Sequence, residues 1–240
     1  MAVRVEAATF ELPQRFVLPH YPPEIVLYTK PEEVVTAENE YKLQTNPAMK
    51  LLASILRNSC GGYFKRGIER TDGSMPKGYL LEELVRDKLV QIAKIKNSIR
   101  IPLLDEVEST HYHFHQNRKG INVEKKGDPL GSSEYDAIVL CQGKDEEGKD
   151  EWLPVIIEVK SGKQLEKKKL RARSIVNKLE PIKELFQTDR VGFIVVVTKD
   201  CRGRKKDFTD RGGLFATLPI TTEELAAVSK PLDNYPVAVL

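Results

Sequence analysis

The chain has 240 residues, 40% of them hydrophobic and 30% charged, enough to bury one substantial core with a small accessory lobe. Thirty-eight Lys and Arg against 35 Asp and Glu leave a net charge of +3, too small to indicate a nucleic-acid partner by itself, so the distribution of charge has to decide that question. Three cysteines (Cys60, Cys141, Cys201) lack metal-type spacing and are odd in number, and no apolar run approaches the roughly 18 residues of a membrane span. With no apolar stretch of signal-peptide type in the opening MAVRVEAATFELPQRF, the expectation is a soluble intracellular protein without a membrane partner, in the cytoplasm or with the nucleoid or nucleus.

Residues 1–75 read as an N-terminal extension of short strands plus a helix. Pro13, Pro19, Pro22, Pro23 and Pro31 punctuate its first part, and no chemistry is visible there. From Asn46, with Pro47 in the first turn, Met49, Leu52, Ile55 and Leu56 recur at helical spacing up to Gly61 and Gly62. That stripe suits a core or a dimer surface. The following GGYFKRGIERTDGSMPKG is basic and aromatic, either a solvated loop or a backbone contact.

Residues 79–96 predict the next helix. At steps of about 100° from Leu80, Leu81, Leu84, Val85, Ile92 and Ile95 fall on one apolar face. Glu82 lands at the rim of that face, where it can reach towards a sheet, and Glu83 lands in solvent. The alternative is that both pair along the helix with Arg86 or Lys88.

Residues 100–114 (RIPLLDEVESTHYHF) read as a strand. His111, His113 and His115 alternate with Tyr112 and Phe114, so a regular strand places all three imidazoles on one face. That face either binds Zn²⁺ or another transition metal, for which no fourth ligand is evident, or lines a polar groove. The next segment, QNRKGINVEKKGDPLG, reads as a loop carrying Arg118, Lys119, Lys125 and Lys126.

SSEYDAIVL and WLPVIIEVKSGK, joined by the Gly-rich and charged CQGKDEEGKDE, read as an antiparallel hairpin. Alternation puts Glu158 and Lys160 on one face, with Asp136 opposite or diagonal to Ile156 or Glu158 according to register. Three ionisable groups where a strand pattern wants apolar ones need partners or a metal, since unpaired buried charge is costly. Two carboxylates on rigid strands suit Mg²⁺, and a lysine beside them can orient or help deprotonate water. An ordinary ion pair at a sheet edge is the competing explanation.

Beyond Lys160, the segment SGKQLEKKKLRARSIVNKLEPIKELF predicts a helix facing the sheet through Leu165, Ile175, Val176 and Leu179, with Pro181 bending or ending its first part. Lys163, Lys167, Lys168, Lys169, Arg171 and Arg173 stand against a single acid, Glu166. Six phosphates neutralised there would give a salt slope of about −5. VGFIVVVT (residues 191–198) reads as a strand covered on both faces, and a second basic loop follows with Arg202, Arg204 and Lys205. FATLPI gives a short strand. Thr221 and Glu224 match a capping box for a last helix, and residues 229–240 read as a tail.

Asp136 before an apolar strand, then I-I-E-V-K-S-G-K, resembles the PD-(D/E)xK nuclease superfamily, which includes restriction endonucleases, Holliday-junction resolvases and recombination exonucleases. Tyr135 stands where the family name has Pro. K-G-Y-L-L-E, ending at Glu82, resembles the G-x-x-x-E of resolvase-like members. The resemblance implies an α/β fold, a mixed β-sheet flanked by helices, with a restriction endonuclease-like core over residues 76–228. It also implies a nuclease hydrolysing phosphodiester bonds with Mg²⁺, for which Mn²⁺ can substitute, in particular an endonuclease acting on DNA rather than RNA. Asp136, Glu158, Glu82 and the Val159 carbonyl would hold metal, and Lys160 would position or activate water. Lys163, Lys167, Lys168, Arg171, Arg173, Arg202, Arg204 and Lys205 would hold the nucleic-acid backbone. Cutting both strands of a duplex commonly uses two copies of a single-site domain, so a homodimer is an expected partner. The alternative is a non-catalytic nucleic-acid-binding or assembly module on the same fold. A phosphatase or nucleotide hydrolase is a weaker third option, because no P-loop is present.

Overall fold

A computed structural model of the chain describes residues 41–58, 77–117, 120–144, 148–162, 172–203 and 206–228. The short strands expected before residue 40, the linker after Asn58 and the C-terminal tail lie outside these residues. The elements are α1 (Pro47–Asn58), α2 (Lys77–Ile95), β1 (Ile99–Arg100), β2 (Val107–Glu108), β3 (Tyr112–Asn117), β4 (Gly120–Lys125), β5 (Asp128–Tyr135), β6 (Ala137–Lys144), β7 (Asp150–Lys160), α3 (Ala172–Phe186), β8 (Gly192–Val197), α4 (Lys206–Asp210), β9 (Leu214–Thr217) and α5 (Thr222–Val228).

They form a mixed α/β architecture with two sheets flanked by helices. The five-stranded sheet runs β1-β6-β7-β8-β9, antiparallel through β7 and parallel from β7 to β9. A second, antiparallel sheet runs β2-β3-β4-β5. One face of the five-stranded sheet, including Val155, Ile157, Ile194 and Val196, packs on Leu52 and Leu56 of α1 and Leu81 and Val85 of α2. The other face, with Ile156, Phe193 and Val195, packs on Ile175, Leu179 and Ile182 of α3 and on Phe114 and Val123 of the second sheet. Every residue of β8 is therefore buried, as its unbroken apolar run predicts.

The α1 stripe belongs to the core. Asn46 caps the helix by accepting the Met49 N–H at 2.8 Å, and its amide donates to the Cys141 carbonyl of β6 at 2.9 Å. Gly143 lets that amide approach, since a Cβ there would lie 2.7 Å from Asn46 Nδ2. At the other end of the helix, Arg57 donates to the Phe215 carbonyl in β9. The capping box at α5 forms as expected: Thr221 N–H donates to Glu224 Oε2 at 2.6 Å, and Glu224 N–H to Thr221 Oγ1 at 3.1 Å.

Several local expectations are corrected. Residues 100–114 do not form one strand: the chain turns at Asp105 and Glu106, where Glu106 takes a φ of 54°, so only β1, β2 and the start of β3 fall in this range. The segment after Asn117, read as a loop, supplies β4 and the first half of β5, because Ile121 and Val123 alternate into the core between polar residues. Helix α3 continues through Pro181. Pro181 thus does not end the helix, although it removes one backbone donor; it is buried, and the next residue, Ile182, belongs to the core on this side of the sheet. Ile95 closes α2 beyond the sheet and is 75% exposed, although the helical wheel places it on the apolar face. The basic loop after β8 contains a short helix, α4, anchored by buried Phe208.

Candidate active site at a strand corner

The two sheets are joined without a loop. β5 ends at Tyr135 and β6 begins at Ala137, so Asp136 is the corner at which the chain passes from one sheet to the other. Gly120 makes room for the corner: a Cβ there would lie 2.4 Å from the Tyr135 carbonyl oxygen and 3.7 Å from the Asp136 Cα. The hairpin register pairs Ala137 with Ile157, which sets Asp136 against Glu158, one of the two positions that alternation allowed.

Asp136 Oδ2 accepts the Val159 backbone N–H at 2.5 Å. Lys160 Nζ lies 2.7 Å from Glu158 Oε2 and 3.8 Å from Asp136 Oδ2. Lys178 of α3 was not singled out by the sequence pattern, yet its ammonium bonds the other Glu158 oxygen and the Glu134 carbonyl, and lies 5.0 Å from the centre of the Tyr135 ring. Tyr135 in turn donates its hydroxyl to the Lys178 carbonyl at 2.9 Å. Among the described residues no buried side-chain nitrogen or oxygen lacks a hydrogen-bond partner.

Glu82 faces this group from α2 while Glu83 is exposed, as the helical wheel requires. Arg86, one turn on, is 3.9 Å away. Burial, then the Asp136 charge, push the Glu82 carboxyl up to about 7 against the pull of Arg86 and Lys160. Asp136 is also raised, by burial and then by Glu158, against Lys160, the Val159 N–H and Lys178. For Glu158 burial works upward, but Lys178 and Lys160 outweigh it and hold its carboxyl below the usual range. Lys160 is desolvated, yet the charges of Glu158 and Asp136 raise it, so it is a cation at neutral pH and suited to orienting a water rather than deprotonating it.

Three carboxyl groups thus converge with two ammonium groups, and two of the three are penalised for ionising. A hard divalent cation relieves that penalty and prefers such oxygen donors, so the donor set fits Mg²⁺ or Mn²⁺. What the structure gives for Val159 is the N–H bond to Asp136. A groove of about 100 Å³ reaches Asp136 between α2 and the second sheet, with Arg86, Leu89, Ile101, Gln116 and Ile121 among its walls.

Lys163, Lys167, Lys168, Lys169, Arg171, Arg204 and Lys205 lie outside the described residues, as do Arg118, Lys119 and the side chain of Arg173. Arg202 is exposed beyond β8. The three histidines do not share a face. His111 precedes β3 and its Nδ1 lies 2.8 Å from Glu184 of α3, whereas His113 and His115 meet Glu106. A scan against protein-family models, a search of curated proteins and a search of solved structures each found no match to this chain.

Proposed function

We propose that this chain is a metal-dependent nuclease, an endonuclease that hydrolyses phosphodiester bonds in DNA, built on a restriction endonuclease-like core. The observation that carries the reading is the meeting of Asp136 and Glu158 across the hairpin, with Lys160 Nζ within 2.7 and 3.8 Å of the two carboxylates. These are the Asp, Glu and Lys whose order along the chain resembles the PD-(D/E)xK superfamily.

Asp136, Glu158 and Glu82, with the Val159 carbonyl, would hold Mg²⁺, which when bound supplies Lewis-acid stabilisation of the reacting phosphate. Lys160, a fixed cation, orients the attacking water and opposes the charge that builds on the phosphate oxygens. Lys178 keeps Glu158 ionised and ties α3 to the hairpin. The Val159 N–H fixes the Asp136 rotamer, so the carboxylate is placed before any ligand arrives. The basic stretch from Lys163 to Arg173, with Arg202, Arg204 and Lys205, would take the backbone phosphates, and a second copy of the chain would serve the second strand.

A second reading rests on the same contacts. Both Glu158 oxygens already bond lysines, which also suits a closed polar network in a non-catalytic nucleic-acid-binding or assembly module. Incubation with circular single-stranded DNA, supercoiled DNA and RNA in Mg²⁺, Mn²⁺ or EDTA separates the two. Metal-dependent opening of a circle is expected. Salt-sensitive binding to any of these polymers with no cleavage transfers the chain to the second reading.

A further inference from the structure

His113 and His115 stand two residues apart on β3, so both rings leave the face opposite buried Tyr112 and Phe114. Glu106 reaches them from the turn before β2. Its carboxylate oxygens lie 3.4 Å from His113 Nε2 and 3.0 Å from His115 Nδ1. The imidazole centroids are 4.1 Å apart with the rings tilted by 51°, and one ligand atom from each of the three side chains falls within 4.8 Å of the others.

The turn that delivers Glu106 is held on both sides. Its φ of 54° lies in the left-handed region, which a non-glycine residue keeps only where its surroundings impose it. On one side the Leu104 N–H donates to Gln116 Oε1 at 3.0 Å and the Gln116 N–H to Asp105 Oδ1 at 3.3 Å. On the other, Val107 pairs with Phe114 and Glu108 with His113. The carboxylate is thus clamped to the same strand that carries both imidazoles.

We propose that Glu106, His113 and His115 form a binding site for a borderline divalent transition-metal ion of the Zn²⁺ class, separate from the carboxylate and lysine centre. Two imidazoles and one carboxylate select Zn²⁺, Co²⁺ or Ni²⁺ over Mg²⁺, which takes oxygen donors. Bonds of about 2.0–2.1 Å to a tetrahedral ion put neighbouring ligand atoms roughly 3.3 Å apart. The 3.4 Å separation runs from His113 to Glu106 Oε2 and the 3.0 Å one from His115 to Oε1, so a single carboxylate oxygen and the two imidazole nitrogens close on the ion from within 4.8 Å of one another. Three protein ligands leave a fourth position for water or for a donor atom of an incoming molecule. His111, whose ring is turned to Glu184, is not part of the site.

The test is titration of the EDTA-treated, dialysed full-length chain with Co²⁺ alone, followed by visible absorption, and then with Zn²⁺ by calorimetry. One equivalent of Co²⁺ with a ligand-field band is expected. His113→Gln or His115→Gln should abolish the band, Glu106→Gln should weaken binding at least tenfold, and His111→Gln should leave both unchanged. As a check that needs no variant, Zn²⁺ should shift the ring resonances of two of the four histidines in the wild-type chain. A wild-type chain with no Co²⁺ band, or His113→Gln and His115→Gln variants that bind as wild type, overturns the assignment. So does loss of binding in Asp136→Asn with both histidine variants unaffected, which would place the ion at the strand corner.

Discussion

Val159 and Asp136 are joined by a 2.5 Å hydrogen bond, donated by the Val159 backbone N–H to the Asp136 carboxylate, although 22 residues separate them along the chain. The bond closes the corner between the two sheets and sets the Asp136 carboxylate against Glu158 and Lys160. The placement is backbone-determined, so changes that move the corner are expected to act on the site as strongly as changes to its side chains.

Gly120→Ala tests that dependence. Its Cβ would press on the Tyr135 carbonyl, and relief requires the corner to move. A stability loss of about 1–3 kcal/mol is expected from such overpacking, together with loss of DNA cleavage. Urea denaturation beside a cleavage assay checks both; an unchanged midpoint and rate would show that the corner is free to adjust.

The Glu158 carboxylate has two cationic partners, and the prediction turns on removing the second. Lys160→Met or Lys178→Met each leaves one ammonium on Glu158. The double variant leaves a buried carboxylate uncompensated, a loss of about 3–5 kcal/mol that appears only when the last partner goes. Unfolding free energies around the double-mutant cycle should be non-additive in that sense, and simple additivity would mean that solvent already screens Glu158.

Glu82 supplies a pH dependence for the metal-free protein. Its folded carboxyl is raised from 4.5 to about 7, so between these values the native state keeps a proton that the unfolded chain has released. Stability should therefore fall as pH rises from about 4.5 to 7 and level off above, with the favourable contribution present in full only at the acid end. Glu82→Gln should flatten that slope and exceed wild type at pH 8. Urea midpoints at pH 5 and pH 8 in EDTA read it directly, and parallel profiles for the two proteins would contradict it.

Asn46→Ala asks whether α1 is part of the same folding unit. The substitution removes an N-cap worth about 1 kcal/mol and leaves the Cys141 carbonyl without its amide donor. A cooperative loss of about 2 kcal/mol in the single unfolding transition is expected. A separate early transition would make the α1 segment an appendage.

Patterns with a short repeat were legible. Alternation separated Glu158 and Lys160 from Val159, the helical wheel turned Glu82 inward and Glu83 outward, and the Thr221 and Glu224 spacing gave a real cap. The fold was less legible where short strands carry charge: β4 holds Asn122, Glu124 and Lys125 among its six residues, which hides the alternation of Ile121 and Val123. Partnerships made by tertiary packing left no local signal. Lys178 reads as one more exposed lysine of a basic helix until α3 docks on the hairpin, and Glu106 reads as a strand residue until the chain turns to bring it to His113 and His115. The sheet switch at Asp136 was hidden for the same reason, since β5 and β6 follow one another with a single residue between them.

The most direct test of the account is the Mg²⁺-dependent nicking of supercoiled DNA by the wild-type chain beside Lys160→Met, a variant in which Glu158 keeps Lys178 and the hairpin stays paired. The wild type should nick the circle, and the variant should retain a hundredth of that rate or less, the loss typical of removing one group that stabilises transition-state charge. A folded Lys160→Met chain that nicks at the wild-type rate would contradict the placement of the chemistry at the strand corner.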